Sequence, residues 1–91
     1  MNVDKTIEDA LLAFVVSLDE SVSKDQYFGP NVDLFDYGYL DSFGIVGLIA
    51  FVDQNYGLNL SNVDFYDTPN RTIAGIAKLI GEGTDLQTGP Q

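Results

Sequence analysis

Apolar residues recur at helical spacing along this chain, and no stretch alternates cleanly between apolar and polar residues. The first segment of this kind contains Ile7, Leu11, Phe14, Val15 and Leu18. Spacings of three and four residues bring side chains to one face of an α-helix, whereas a half-buried strand needs a period of two. The sequence therefore predicts an all-α protein whose first helix ends near residues 19–22.

A second apolar segment, residues 43–52, contains no charged or amide side chain. Asp41 is a suitable N-cap before this segment and Gly57 suits the C′ position after it, so we expect a helix from Ser42 to about Tyr56. A helix that is apolar on all sides is normally buried on all sides, which is hard to achieve in a small domain. Part of this helix is therefore expected to stay exposed or to contact a partner.

Two further helices complete the predicted fold. Ser61 would cap a short helix over residues 62–66, and a last helix would cover residues 71–80 until Gly81 stops it. A long connection, about residues 23–41, precedes the second helix. The prediction is a small four-helix bundle of three main helices and one short helix, with a long loop between helices 1 and 2.

The chain of 91 residues is long enough for one small domain. We expect the folded domain over residues 1–81 and a flexible tail over the polar, glycine-rich residues 82–91. The N-terminal residues lack the basic-then-apolar order of a signal peptide, and the longest apolar run is too short to span a bilayer. These features predict a cytoplasmic protein without membrane insertion.

The net charge limits the kinds of partner that the chain can bind. Fourteen acidic residues face four basic residues, giving a net charge of −10. This charge repels nucleic-acid phosphates and anionic membranes. It favours basic partner surfaces, although acidity can equally serve solubility alone.

The composition also excludes several chemistries. The chain has no cysteine and no histidine, so it can form neither a disulfide nor a serine–histidine–aspartate triad. A calcium-binding loop beginning at Asp33 would have Gly38 in the correct place, but Phe35 and Tyr37 would replace two oxygen ligands. We therefore expect no metal site, no catalytic residue and no self-sufficient enzyme.

Ser42 is the most plausible reactive group, because it lies where a glycine-containing turn meets the apolar second helix. A serine at such a position is most often only a cap or an early helical residue. The surrounding pattern, however, resembles the acyl and peptidyl carrier protein family over about residues 4–81. The segments that carry the resemblance are residues 33–43 (DLFDYGYLDSF), 56–58 (YGL), 64–65 (DF) and 72–76 (TIAGI).

The resemblance implies a four-helix bundle, which agrees with the helices expected from the residues. It also implies that a phosphopantetheinyl transferase attaches 4′-phosphopantetheine from coenzyme A to Ser42. The thiol of this arm would hold cargo as a thioester, and the chain itself would be a monomeric, non-catalytic carrier. By the same resemblance, Asp41 helps the transferase to hold magnesium and coenzyme A, besides its expected role as helix cap.

The resemblance further implies a partner-binding surface on the second helix. Phe43 follows the modified serine and would face partner enzymes, and Val46, Gly47 and Ala50 would extend this surface along the helix. Asp64 would add an acidic contact. Many relatives carry acids along this helix, whereas this chain has none there before residue 53. Acids of the neighbouring loops would therefore supply the electrostatic steering, namely Asp33, Asp36, Asp41, Asp64 and Asp67.

Three interpretations of the function stay open at this point. We favour a free-standing acyl or aminoacyl carrier of specialised polyketide or nonribosomal peptide biosynthesis, served by a loading ligase and by downstream acyltransferases or synthases. Residues 40–44 (LDSFG) and 68–70 (TPN) are also similar to D-alanyl carrier proteins of cell-wall modification. The third interpretation is an unmodified helical module that docks through its second helix.

Overall fold

The computed structural model describes residues 3–88, which form three α-helices and two short 3₁₀-helices. The α-helices are α1 (Val3–Leu18), α2 (Ser42–Tyr56) and α3 (Ile73–Thr88). The first 3₁₀-helix (Glu20–Lys24) follows α1, and the second (Thr68–Arg71) precedes α3. The described residues contain no strand, which confirms the predicted all-α class. No helix within this part of the chain has both the length and the apolar character that crossing a membrane requires.

The core lies where the three α-helices meet. α1 packs most extensively against α3, and α2 contacts both. Ile7, Leu11 and Val15 are buried as the periodicity of α1 predicts, whereas Leu18 ends the helix and remains 48% exposed. The later segments contribute the other buried apolar side chains, which are Val22, Leu34, Leu40, Leu48, Val52, Leu60, Ile73, Ile76, Ala77 and Ile80.

The connection between α1 and α2 is irregular but firmly attached to the core. Leu34 and Leu40 are both buried. The Leu34 N–H donates to the Arg71 carbonyl at 2.9 Å, and the Leu34 carbonyl accepts from the N–H groups of Tyr39 and Leu40 at 2.8 and 3.1 Å. These bonds fix the path of the chain into α2, since Asp41 follows directly.

The predicted short helix over residues 62–66 is wrong, because this segment forms turns. The Ser61 N–H donates to Asn59 Oδ1 at 2.8 Å, and the Tyr66 N–H donates to Asp64 Oδ1 at 2.9 Å. Asparagine and aspartate side chains that accept from the backbone two residues ahead offer an alternative to helical bonding. The short helix that does form between α2 and α3 is the second 3₁₀-helix, which begins at Thr68.

The predicted stop of the last helix at Gly81 is also wrong, because α3 continues to Thr88. Gly81 is buried, and a Cβ at Gly83 would lie 2.8 Å from the Leu58 methyl groups. At least at Gly83, glycine therefore permits close packing of Leu58 against α3. The domain boundary at residue 81 and the mobility of residues 82–91 remain predictions, and residues 89–91 of that tail lie outside the described residues.

Candidate functional site

Ser42 is the first residue of α2, and its side chain is exposed. Asp41 is the N-cap, as predicted, with extended backbone angles of φ −112° and ψ −170°. Asp41 Oδ1 accepts from the Gly44 N–H at 2.8 Å, and the Asp41 carbonyl accepts from the Ile45 N–H at 2.9 Å. The N–H groups of Ser42 and Phe43 precede the first intrahelical bond of α2. Together with the helix dipole, they favour an anion on the Ser42 hydroxyl.

The turn that presents Ser42 rests on a buried leucine. Leu40 is only 3% exposed, and Gly44 is buried above it. A Cβ at Gly44 would lie 2.7 Å from Leu40 Cδ1, so a larger residue would displace the leucine side chain. The first turn of α2 thus packs closely on the end of the preceding connection, and this packing positions Ser42 at the surface.

Three of the four α2 residues predicted to bind partners lie exposed. Phe43 is 89% exposed and Val46 is 65% exposed, and Ala50 is also exposed. Their spacing of three and four residues places them on one side of the helix. We call these three residues the exposed face of α2. Folding does not bury this face, which agrees with the expectation that part of the helix stays accessible.

Gly47 is half-buried at the contact between α2 and α1. A Cβ at this position would lie 3.3 Å from Phe14 Cζ of α1. The Phe14 ring also contacts Phe51 of α2, with their centroids 4.9 Å apart. Contact with α1 therefore gives an internal reason for a glycine here, and a role of Gly47 in partner binding remains a prediction.

Asp64 lies exposed in the connection between α2 and α3. Its carboxylate accepts from the Tyr66 N–H, and its carbonyl accepts from Asn70 Nδ2 at 2.8 Å. Asp64 thus stabilises its own connection, and its carboxylate remains accessible at the surface.

A network centred on Arg71, which we did not predict, joins this connection to the one before α2. Arg71 Nε donates to Asp33 Oδ2 at 2.6 Å, and Nη2 donates to Asp36 Oδ1 at 3.1 Å. Nη1 donates to the Phe65 carbonyl at 3.2 Å, and the guanidinium lies 4.9 Å from the centroid of the Phe35 ring. Hydrogen bonding from Arg71 is the main cause that lowers the pKa of Asp33. Two acids that we had assigned to electrostatic steering are thus paired within the protein.

A small cleft of about 240 Å³ lies beside this network. It is lined by Phe35, Ile45, Phe65, Tyr66 and Arg71. Ile45 is three residues beyond Ser42, so the cleft begins within one helical turn of the exposed hydroxyl. Where the structure describes side chains, residues 5–83, no group of three or more acidic side chains is arranged to hold a metal ion.

The fold and the site define a class of small all-α proteins in which a capped helix presents an exposed serine at its first position. The family model described as "Phosphopantetheine attachment site" matches residues 11–80. The chain therefore belongs to the phosphopantetheine-binding carrier protein family, whose prosthetic group is a covalently attached 4′-phosphopantetheine.

One curated relative is the D-alanyl carrier protein of Bacillus velezensis, which is 30% identical to this chain over 54 residues. The aligned stretch covers 55% of this chain and 69% of the relative. No solved structure matches the chain. Membership of a family that carries a prosthetic group leaves the unmodified interaction module without support.

Proposed function

We propose that this protein is a free-standing carrier that holds acyl or aminoacyl intermediates as thioesters on a 4′-phosphopantetheine arm attached to Ser42. One observation carries the proposal. Ser42 is an exposed hydroxyl at the first position of a capped α-helix, within the stretch that matches the attachment-site family.

Hydrogen bonding supports Ser42 over the other serines of the chain. Ser17 donates to the Phe14 carbonyl, Ser21 to the Asp19 carboxylate and Ser23 to the Glu20 carbonyl. Ser61 is exposed, but it lies in a turn and not at a helix start. Ser42 therefore combines an exposed hydroxyl with the anion-favouring end of a 15-residue helix.

The residues around Ser42 fit a phosphodiester. Ser42 Oγ would provide the ester oxygen, and the N–H groups at the start of α2 would face the negative charge. Asp41 holds this helix end through Oδ1 and, by resemblance, also helps the transferase to hold magnesium. When attached, the group supplies a flexible thiol, and its tether raises the local concentration of cargo at each partner enzyme.

We propose no catalytic residue in this chain, so partner enzymes perform the chemistry. These partners are a phosphopantetheinyl transferase, a loading ligase, and downstream acyltransferases or synthases. The exposed face of α2 would contact them through apolar area, with Gly47 at its inner edge and Asp64 as an acidic contact. The high exposure of Phe43 and Val46 supports this docking surface.

Two pathways for the carrier are distinguished by the loading enzyme. We propose specialised polyketide or nonribosomal peptide biosynthesis, and the D-alanyl carrier role is the second candidate, favoured by the Bacillus velezensis relative. The phosphopantetheine form can be offered to a D-alanine-activating ligase and to ligases for other amino acids and acyl groups. If D-alanine is the only cargo that is loaded efficiently, the assignment to specialised biosynthesis is overturned. If D-alanine is not loaded, the D-alanyl carrier role is overturned.

A monomeric state and a cytoplasmic location complete the proposal, because a carrier must meet coenzyme A and successive enzymes. Sedimentation of the full chain should give the mass of a single copy. A stable dimer, or fractionation of the protein away from the cytoplasm, would contradict these two proposals.

The attachment is tested by mass spectrometry of the intact chain after incubation with coenzyme A and a broad-specificity transferase. We expect one phosphopantetheine increment in the wild type and in Ser61→Ala, and none in Ser42→Ala. Ser61→Ala is the matched control, because it removes another exposed hydroxyl, outside a helix start. An increment that persists in Ser42→Ala would refute the assignment.

A further inference from the structure

Three aromatic rings contact one another on the connection between α1 and α2, and the exposed Tyr27 directly precedes one of them, Phe28, in sequence. The Tyr39 ring meets Phe28 edge-on, with centroids 5.1 Å apart, and stacks on Tyr37 at 6.2 Å with an interplanar angle of 21°. Tyr37 is 63% exposed and Tyr27 is 65% exposed. We call Tyr27, Tyr37 and Tyr39, together with Phe28, the tyrosine surface. It shares no residue with the exposed face of α2.

Asp25 ties the two ends of this surface together. The Tyr39 hydroxyl donates to Asp25 Oδ2 at 2.9 Å, and Asp25 Oδ1 accepts from the Tyr27 N–H at 2.9 Å. The Tyr39 N–H also donates to the Leu34 carbonyl, and Leu34 is buried in the core. The Tyr39 ring is thus held by its hydroxyl, by its backbone and by the two rings beside it. A surface that is ordered before binding loses less conformational entropy when a partner binds.

The charges around the tyrosine surface favour a cation. Residues 25–41 contain four aspartates and no basic residue, and Arg71 can offset only one of these charges. Lys24, the nearest base in sequence, lines a separate groove with Val16 and Glu20. The face of an aromatic ring carries negative potential, so exposed tyrosines beside carboxylates attract guanidinium groups.

We propose that the tyrosine surface binds an arginine-bearing basic segment of a partner enzyme, as a docking site separate from the exposed face of α2. The proposal rests on the carrier function proposed above, because it concerns the enzymes that the carrier visits. Tyr39 lies three residues before Ser42, so an enzyme held at this surface is held close to the attachment point. Stacking on the rings would favour the planar guanidinium of arginine over the ammonium of lysine.

The probe is an N-acetylated, C-amidated pentapeptide, Arg-Gly-Arg-Gly-Arg, with the corresponding lysine peptide for comparison. Each peptide is titrated at low salt into the isotope-labelled full chain, and backbone amide shifts are followed by NMR. We expect the largest shifts within residues 25–41 and tighter binding of the arginine peptide. Replacing Tyr27 and Tyr37 by leucine should weaken its binding by about two- to five-fold for each ring that takes part.

Tyr66→Leu is the matched control, because Tyr66 is 91% exposed but lies in the connection between α2 and α3. Because Tyr66 also stands beside carboxylates but forms no ring pair within the described part of the chain, its loss should weaken peptide binding clearly less than the Tyr27→Leu/Tyr37→Leu change. The proposal is overturned if the Tyr27→Leu/Tyr37→Leu variant binds as tightly as the wild type, if Tyr66→Leu weakens binding equally, or if the shifts centre on Asp53 and Asp67.

The Tyr27→Leu/Tyr37→Leu chain should still gain the full phosphopantetheine increment after prolonged incubation with the transferase. A wild-type chain that gains no increment would overturn the carrier function. Peptide binding that does not depend on Tyr27 and Tyr37 would overturn only the docking site, so the two failures can be told apart.

Discussion

Gly75→Ala should destabilise this protein, although alanine is the better helix former. Gly75 is the third residue of α3, and the carbonyl of Pro69 in the second 3₁₀-helix lies directly against it. An added Cβ would stand 1.6 Å from Pro69 O and 2.7 Å from Pro69 C. Nonbonded heavy atoms need about 3.5 Å or somewhat less, so one of the two backbones must move by at least about 1.5 Å.

The expected magnitude follows from two opposing contributions. Alanine in place of glycine within a helix stabilises it by about 1 kcal/mol. Overpacking costs typically about 1–3 kcal/mol, and the upper value applies because the obstacle is a backbone carbonyl that cannot rotate away. We therefore expect a net loss of about 2 kcal/mol in the free energy of unfolding. For a domain of this size, such a loss lowers Tm by about 8–16 °C.

Urea unfolding followed by far-UV circular dichroism measures this loss, with Gly83→Ala as the matched control. Gly83 belongs to the same helix, but its Cβ would meet the ends of the flexible Leu58 side chain. That side chain can move aside, so the control should stay within about 1 kcal/mol of the wild type. The reasoning is refuted if Gly75→Ala is as stable as the wild type, or if both variants lose the same stability at unchanged m-value.

Three further variants test the residues around the site. Asp41→Ala should lower the free energy of unfolding by about 0.5–2 kcal/mol through loss of the cap. Asp41→Asn should keep the stability but slow the modification of Ser42 by the transferase. Equal modification rates in Asp41→Asn and the wild type would contradict a role of the Asp41 charge. The lowered pKa of Asp33 means that its contribution to stability is present above the ordinary value of 3.8 and is lost as pH falls through the lower value of the folded state. The wild type should therefore have a higher Tm than Asp33→Asn near neutral pH, and this difference in Tm should decrease as the pH is lowered. A difference that is unchanged at low pH would contradict the pairing with Arg71. Phe43→Ser should leave Tm nearly unchanged, because the ring is 89% exposed, while it slows transfer of the arm; a large fall in Tm would show that the ring packs in the fold.

Features set by neighbouring residues were predictable from the sequence. Asp41 caps α2 by accepting from a residue only three positions ahead, and Gly57 ends the helix with φ +66°. The buried stripe of α1 follows from spacing alone. In each case the physical cause lies within one or two helical turns, where the sequence order fixes the distance between residues.

Predictions failed where distant segments decide the structure. Nothing in the spacing shows that Arg71 meets Asp33 and Asp36, which lie 38 and 35 residues away in sequence. The sequence likewise predicts a helix stop at Gly81, and its spacing does not show that Gly83, two residues further on, packs against Leu58. A glycine that permits close packing and a glycine that ends a helix look the same in sequence, because the difference lies in what approaches the missing Cβ.

The close approach of other segments to glycine also explains why α2 is apolar on almost every side. Gly44 and Gly47 face Leu40 and Phe14, so the small residues occur where other parts of the protein approach the helix closely. Phe43 lies outside these contacts and remains 89% exposed, so folding gains almost none of the roughly 2–3 kcal/mol that burying a phenylalanine can provide. We propose that the Phe43 ring, which directly follows Ser42, serves a contact that forms only when a partner enzyme approaches the arm.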